Sequence, residues 1–286
     1  MILVDMNQIS LASVMMHLNI TKRDSVEGGM VRHMILNSLR MYRERFFKEY
    51  GELVICYDSK HYWRRDIFPQ YKAGRKKTRD SSSHDWNDIF EFLNAFKDEM
   101  IEFMPYKVLE VYGAEADDII GALTVEMSDF GGEDVVIISA DKDFIQLQQY
   151  GHVIQWSPMF NKMIKEDNPR RYLFEHLLKG DAGDGVPNAN SHDDVFTTGS
   201  RQTPMTQKQI DKYWDNRDDL EMIMKPNVYR NFMRNVQMID LTNTPDGIRE
   251  AAINMYENYK YPPRGNILTY LIEHRMKMLI DNASEF

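Results

Sequence analysis

Three short apolar runs in this chain each end on an acid. Met1–Val4 lead into Asp5, Leu53–Tyr57 into Asp58, and Val135–Ser139, through Ala140, into Asp141 and Asp143. Runs this short and rich in Val, Ile and Leu, set between longer stretches, predict strands of a parallel sheet buried on both faces. Between them the hydrophobic period lengthens. Val26–Tyr50 places Met30, His33/Met34, Asn37 and Met41 along one side of a helix. His84–Met104 repeats the spacing more clearly, with Trp86, Ile89, Phe90, Leu93, Phe96, Met100 and Phe103/Met104, and Pro105 ends it. Glu115–Phe130 predicts another helix, stopped by Gly131-Gly132. The order strand, helix, strand, helix, helix, strand is that of an α/β domain with a mainly parallel central sheet flanked by helices.

Near residue 165 the pattern changes. Strand-like runs cease, and Arg170–Lys179, Thr206–Tyr213, Val228–Ile239, Gly247–Tyr259 and Asn266–Ile280 all read as helices. Asp184–Thr206, rich in Gly, Asn, Ser and Thr, reads as a long loop or series of turns. The expected division is an α/β part over 1–165 and a helical part over 166–286.

Composition narrows the class. No run of apolar residues is long enough to span a membrane, and the N-terminus lacks the charged and apolar regions of a secretory signal. The one cysteine, Cys56, excludes an internal disulfide and a cysteine-based zinc site, and fits a reducing cytoplasm. It alternates with apolar neighbours and is expected in the core. The net charge of −9 argues at first against a nucleic-acid partner. Nine of the acids, however, lie in a few short clusters, and without them the chain is neutral. Distribution therefore matters more than the total.

Those clusters are the main candidate chemistry. Ligands of open α/β sheets bind at the carboxyl ends of the strands, where Asp5, Asp58, Asp141 and Asp143 are expected. Glu115, Asp117 and Asp118 open a helix, where acids also suit the helix dipole. Asp181 and Asp184 lie in Gly180-Asp181-Ala182-Gly183-Asp184-Gly185, whose glycines permit a tight turn. At about 4 Å, two like charges repel by roughly 4 kcal/mol at an effective dielectric of 20. Nine carboxylates can share one site only with protons or cations bound. Oxygen donors without His or Cys select Mg²⁺ or Mn²⁺, and two such ions about 4 Å apart can drive phosphodiester hydrolysis. Taken singly, each acid is as well explained as a turn or helix cap. The weight lies in their joint occurrence.

Residues 60–79, KHYWRRDIFPQYKAGRKKTR, hold eight Lys or Arg against one acid, with Tyr62, Trp63, Phe68 and Tyr71 interleaved. Basic groups that neutralise phosphates, beside aromatic faces that stack on bases, suit single-stranded nucleic acid. Arg64, Arg65, Tyr71, Lys72, Arg75, Lys76, Lys77 and Arg79 are the expected contacts. A segment this polar is expected to order poorly without its ligand. Because it follows Asp58 directly, it should project over the acids.

In this order and with these strings, the sequence resembles the 5′ nuclease superfamily of flap endonucleases and polymerase-associated 5′→3′ exonucleases, and within it the RNase H branch of T-even-type bacteriophages. The strings include Val31-Arg32-His33-Met34-Ile35-Leu36-Asn37-Ser38, Tyr62-Trp63-Arg64-Arg65-Asp66, Gln155-Trp156-Ser157-Pro158-Met159, Pro262-Pro263-Arg264-Gly265 and Glu285-Phe286, and the resemblance covers almost the whole chain. It implies a flexible arch at about 60–82 over a metal-binding nuclease core, and a helical C-terminal region with a helix–three-turn–helix-like motif for duplex binding. By match to the family's motifs, Asp5, Asp58, Glu115, Asp117, Asp118, Asp141, Asp143, Asp181 and Asp184 are implied to hold two Mg²⁺ ions, directly or through water, with Mn²⁺ able to substitute. Phe68–Arg75 matches the arch motif, which gives Lys72 and Arg75 the role of stabilising the scissile phosphate and Tyr71 a base contact. The implied substrates are DNA with 5′ flaps or ends and RNA–DNA hybrids. The implied task is removal of RNA primers during phage DNA replication, by a monomer in the cytoplasm of the infected host cell, with a single-strand-binding protein and a sliding clamp as partners. Asn188-Ala189-Asn190-Ser191-His192 stands where the family usually continues into a Gly-x-Gly-type hairpin, so Arg201 or Lys208 is expected to meet the duplex instead.

Two other readings of the residues stay open. Asp141-x-Asp143 after a strand also occurs in aspartate-nucleophile phosphatases, and a basic segment beside an acid cluster is compatible with a non-catalytic binder of branched DNA.

Overall fold

The computed structural model describes residues 1–129 and 132–286. Its centre is a six-stranded sheet: β1 (Ile2–Asp5), β2 (Leu53–Tyr57), β3 (Lys107–Glu110), β4 (Val135–Ile138), β5 (Val153–Ser157) and β6 (Lys162–Ile164). The order across the sheet is β3-β2-β1-β4-β5-β6, with β6 alone antiparallel. The three expected strands are present. β3, β5 and β6 add to them, because their lengths and mixed polarity gave weaker signals. Lys107 and Glu110 bracket only two apolar residues in β3.

Both faces of the sheet are covered, which is why the central strands carry unbroken apolar runs. Ile2, Val4, Leu53, Ile55, Val136 and Ile138 point to one face. There they meet α1 (Met6–Thr21), α2 (Gly28–Tyr50) and, after the short arch helices α3 (Trp63–Ile67) and α4 (Gly74–Asp80), α5 (Trp86–Phe103). Leu3, Val54, Cys56, Leu109, Val135 and Ile137 point the other way, onto α6 (Ala116–Asp129) and a 3-10 helix, Lys142–Gln149. Cys56 is fully buried, as expected. The helix stop expected at Gly131-Gly132 falls partly outside the described residues, since Gly131 is not among them. Gly132, at φ 76°, donates its N–H to Met127 O at 3.0 Å.

Beyond the sheet come α7 (Pro169–Lys179), α8 (Val195–Thr198), α9 (Gln207–Asp215), α10 (Leu220–Ile223), α11 (Pro226–Ile239), α12 (Asp246–Glu257), α13 (Asn266–Glu273) and α14 (Lys277–Ile280). The last expected helix is thus two, broken where Arg275 takes φ 55°. These helices return to the sheet. Leu241 and Ala252 join the α6 face, while Ile267, Tyr270, Leu271 and Leu279 join the α2–α5 face. A third apolar cluster ties Trp63, Phe68 and Tyr71 of the arch to Phe174, Leu178, Ile210, Phe232 and Ile239. The arch is therefore not the unanchored polar loop its sequence suggests. Its aromatics are buried against α7, α9 and α11, while Arg65, Arg75, Lys76 and Lys77 face outward and Arg64 and Lys72 turn inward. Among the described residues, no helix is long and apolar enough to cross a membrane.

Candidate metal centre and nucleic-acid cleft

The sheet order reverses between β1 and β4, and an open α/β sheet leaves a crevice at such a point, at the carboxyl ends of its strands. Asp5 ends β1, Asp58 follows β2, Asp117 begins α6 just beyond β3, and Asp141 follows β4. All four line one cavity of about 1260 Å³, roofed by Lys72, Arg75, Lys77 and Arg79 of the arch and by Trp86 and Phe90. The acids from four separate elements do meet.

Asp5, Asp58 and Asp141 are held from behind. Asp5 caps α1, its Oδ1 accepting the N–H of Gln8 at 3.2 Å and its Oδ2 the Ser139 hydroxyl at 2.9 Å. Asp58 Oδ1 accepts the N–H of Ala116 at 2.7 Å, which fixes the start of α6. Asp141 caps the 3-10 helix through the N–H of Asp143 at 3.0 Å. The turn carrying Asp141 is pinned by Gln155, whose amide donates to Ser139 O at 3.0 Å and to Asp141 O at 2.6 Å. Gln8 Oε1 accepts the N–H of Ala140 at 2.6 Å. Gln8, Ser139 and Gln155 carried no signal in the sequence, because amides and hydroxyls in such runs are commonplace.

The crowding shows in the acidities. Burial first, and then the charge of Asp58, push Asp5 up to about 7. Burial and Asp143 push Asp141 up to about 6. Burial, Asp141 and Asp5 hold Asp117 well above the usual carboxylate range. Carboxylates crowded in this way relieve their repulsion by taking up protons or cations.

A second group lies beside the first. Asp143 Oδ1 is 2.9 Å from His176 Nε2, and Asp181 Oδ2 is 3.9 Å from the same nitrogen. Asp181 Oδ1 accepts the N–H groups of Gly183 at 2.7 Å and Asp184 at 3.2 Å. Burial, Asp143 and Asp184 raise Asp181. Burial opposes the charge on His176, but its bond to Asp143 and the charge of Asp181 win, and its pKa is raised. His176 was missed from sequence. Its partner Asp143 is 33 residues away, and no spacing rule links them.

The arch closes on the same cluster. Lys72, at φ 56°, donates its backbone N–H to Asp184 O at 2.7 Å. Its ammonium pairs with Glu115 Oε1 and lies 3.4 Å from Asp184 Oδ2, while Arg75 pairs with Asp184 Oδ1. Burial alone would raise Asp184, but Lys72 and Arg75 hold it below its ordinary value. Burial alone would discharge Lys72, yet Glu115 and Asp184 raise it above its ordinary value.

The structure corrects three expectations. Asp118 is wholly buried, and both its oxygens are taken: Oδ1 by Arg64 Nη2 at 2.8 Å and Thr244 at 2.8 Å, Oδ2 by Arg64 Nη1 at 2.9 Å and Trp63 Nε1 at 3.1 Å. It anchors the arch, its oxygens turned to Arg64, Trp63 and Thr244. Arg64 is correspondingly lost to nucleic acid. It is buried, bonded to Asp118, to Glu115 Oε2 at 2.9 Å and to Met238 O at 2.8 Å. Tyr71 is buried too, its hydroxyl donating to Glu115 at 2.9 Å and Asp184 at 3.0 Å, so no face is free for a base. Glu115 is gripped by Arg64 and Tyr71 at Oε2 and by Lys72 at Oε1. Arg65, Arg75, Lys76, Lys77 and Arg79 remain accessible, as do Arg201 and Lys208.

A family model described as 5′-3′ exonuclease, N-terminal resolvase-like domain, matches residues 1–172, and one described as T4 RNase H, C terminal, matches 169–286. The chain is 33% identical over 292 residues to the ribonuclease H of Enterobacteria phage T4, covering 99% of this chain and 95% of that protein. It is 29% identical over 161 residues to the exodeoxyribonuclease of Enterobacteria phage T3, spanning only about 50% of that protein. Among solved structures, the T5 5′-exonuclease with zinc bound shares the fold at TM-score 0.58 and 16% identity, over 90% of this chain and 98% of that one. A bacteriophage T5 flap endonuclease in a pseudo-enzyme-product complex with DNA and metal ions does so at 0.60 and 16%, over 90% and 97%. The strand order, the convergent acids and a matched family model over residues 1–172 lead to one conclusion: this chain belongs to the 5′-3′ exonuclease family of nucleases.

Proposed function

We propose that this nuclease is a two-metal, Mg²⁺-dependent 5′ nuclease acting on DNA flaps, 5′ ends and RNA–DNA hybrids. The observation that carries the reading is the meeting of Asp5, Asp58, Asp117 and Asp141 under a cationic roof, with Asp5 and Asp141 pushed up to about 7 and 6. Carboxylates so placed fit hard divalent cations. Asp5, Asp58, Asp117 and Asp141 would hold one ion, and Asp141, Asp143, Asp181 and Asp184 a second, with Glu115 acting at most through water. A bound pair supplies Lewis-acid charge to the scissile phosphate and a more acidic water for in-line attack.

The protein's own part is positioning. Arg75, Lys77 and Arg79 line the cavity roof and draw in the phosphate backbone. Lys72 and Arg75 exchange their carboxylate partners for phosphate oxygens as negative charge grows there, and so favour the transition state over the ground state. A phospho-aspartyl route through Asp141 lacks comparable support, because neighbouring carboxylates repel a phosphate unless cations intervene. Likeness to the phage T4 ribonuclease H supports action on RNA–DNA hybrids, and the reading extends to RNA-primer removal during phage DNA replication in the host cytoplasm, with a single-strand-binding protein and a clamp as proposed partners.

The test uses a 5′-flap and an RNA–DNA hybrid, with Mg²⁺ or chelator, and products sized on a gel. Asp141→Asn and Asp143→Asn are each expected to abolish cleavage while substrate binding persists. Full Mg²⁺-dependent cleavage by both variants would overturn the assignment.

A further inference from the structure

His176 breaks the symmetry of the acid cluster. The cavity side, Asp5, Asp58, Asp117 and Asp141, offers oxygen only. The other side sets an imidazole nitrogen against two carboxylates, and one donor atom each from Asp143, His176 and Asp181 lie within 4.8 Å of one another. Donors that share one ion at about 2.1 Å stand about 3 Å apart when adjacent and about 4.2 Å apart when opposite. The separations of His176 Nε2 from Asp143 and Asp181, 2.9 and 3.9 Å, fall close to those values.

The arrangement is built rather than incidental. His176 stands in the last turn of α7, which packs on the 3-10 helix that carries Asp143. The ring of Tyr172 lies beside the imidazole, centroids 6.2 Å apart. Gly180 ends the helix at φ 67°, and a Cβ there would collide with Val186 O, so the turn that swings Asp181 beneath His176 admits no side chain. Two backbone N–H groups occupy Asp181 Oδ1, which leaves Oδ2 as the oxygen turned to the histidine.

We propose that His176 is a nitrogen ligand of this second metal position and sets its ion preference, favouring a borderline divalent ion such as Mn²⁺ over Mg²⁺ there. The inference rests on the metal-centre reading above and adds the ligand that makes its two positions unequal. Imidazole favours the later first-row divalent ions, whereas carboxylate and water suffice for Mg²⁺. The cavity side, all oxygen, keeps the hard-ion preference.

The full-length protein, without nucleic acid, is titrated with Mn²⁺ and Mg²⁺ by calorimetry, and the Mn²⁺ form is examined by pulsed EPR after ¹⁵N-histidine labelling. The wild type is expected to show a nitrogen coupling to Mn²⁺ that changes with the label. His176→Gln keeps an N–H donor for Asp143 but offers only an amide oxygen to an ion. It is expected to lose that coupling and to bind Mn²⁺ at the tighter site about tenfold more weakly, with Mg²⁺ affinity within about threefold. If the wild type binds Mn²⁺ without nitrogen coupling, and His176→Gln keeps its ratio of Mn²⁺ to Mg²⁺ affinity, the ligand role is overturned while the metal centre stands. A wild type that takes up neither ion would overturn both.

Discussion

Replacing Asp5 with Asn should make the metal-free protein more stable while disabling it. Burial and the charge of Asp58 lift Asp5 from near 3.8 to about 7. A carboxyl that binds its proton more tightly when folded favours the fold below pH 4, and that contribution is lost as pH rises through 7. At about 1.4 kcal/mol for each pKa unit, the lift corresponds to about 4 kcal/mol of stability lost by pH 8. Asn removes the charge and can keep the local bonds: its Oδ1 accepts from the N–H of Gln8, and its amide can donate to Ser139, whose hydroxyl is also 3.3 Å from Gln8 Oε1. Urea unfolding in chelator should therefore show Asp5→Asn more stable than wild type by about 2–4 kcal/mol at pH 8 and by only about 1 kcal/mol or less at pH 4.5. Added Mg²⁺ should stabilise the wild type and narrow the gap, because a ligand of the folded state adds stability by mass action. A variant no more stable than wild type at pH 8, or equally more stable at both pH values, would refute the idea that crowded charge strains this site.

The remaining expectations concern the arch. Lys72→Ala should lower single-turnover cleavage of a flap at least tenfold while changing the dissociation constant by less than threefold, since its hold on the phosphate strengthens as the reaction proceeds. Arg64→Ala leaves the buried Glu115 and Asp118 without their guanidinium and should cost about 3–5 kcal/mol by denaturant unfolding, with Arg64→Lys a poor rescue because one ammonium cannot replace a three-way fork. The triple variant Lys76→Ala, Lys77→Ala, Arg79→Ala should bind single-stranded DNA with a shallower dependence on salt, by about 0.7 in the log–log slope for each phosphate no longer neutralised.

Much of this was legible beforehand because one physical rule covered it. A parallel strand buried on both faces must be an apolar run, and the first acid after it marks the sheet's carboxyl edge. That rule located Asp5, Asp58 and Asp141, and burial of the strands at Leu3, Val54, Ile55 and Ile137 agrees with it. Charge type alone misled at the arch. Arg64 and Arg65 are adjacent and identical in kind, yet one is buried against Asp118 and the other lies open. Asp117 and Asp118 divide the same way: one lines the cavity and the other is sealed under Trp63 and Thr244.

The order of residues along this chain thus settled its α/β class, its edge of carboxylates and the position of its basic segment, because hydrophobic period and strand ends are local properties. Only the packed molecule decided which acids face the cavity and which brace the arch, and it alone brought His176 to Asp143. Those outcomes depend on helix rotation and on the meeting of residues dozens of positions apart, where burial in a low-dielectric interior forces each charge to take a particular partner.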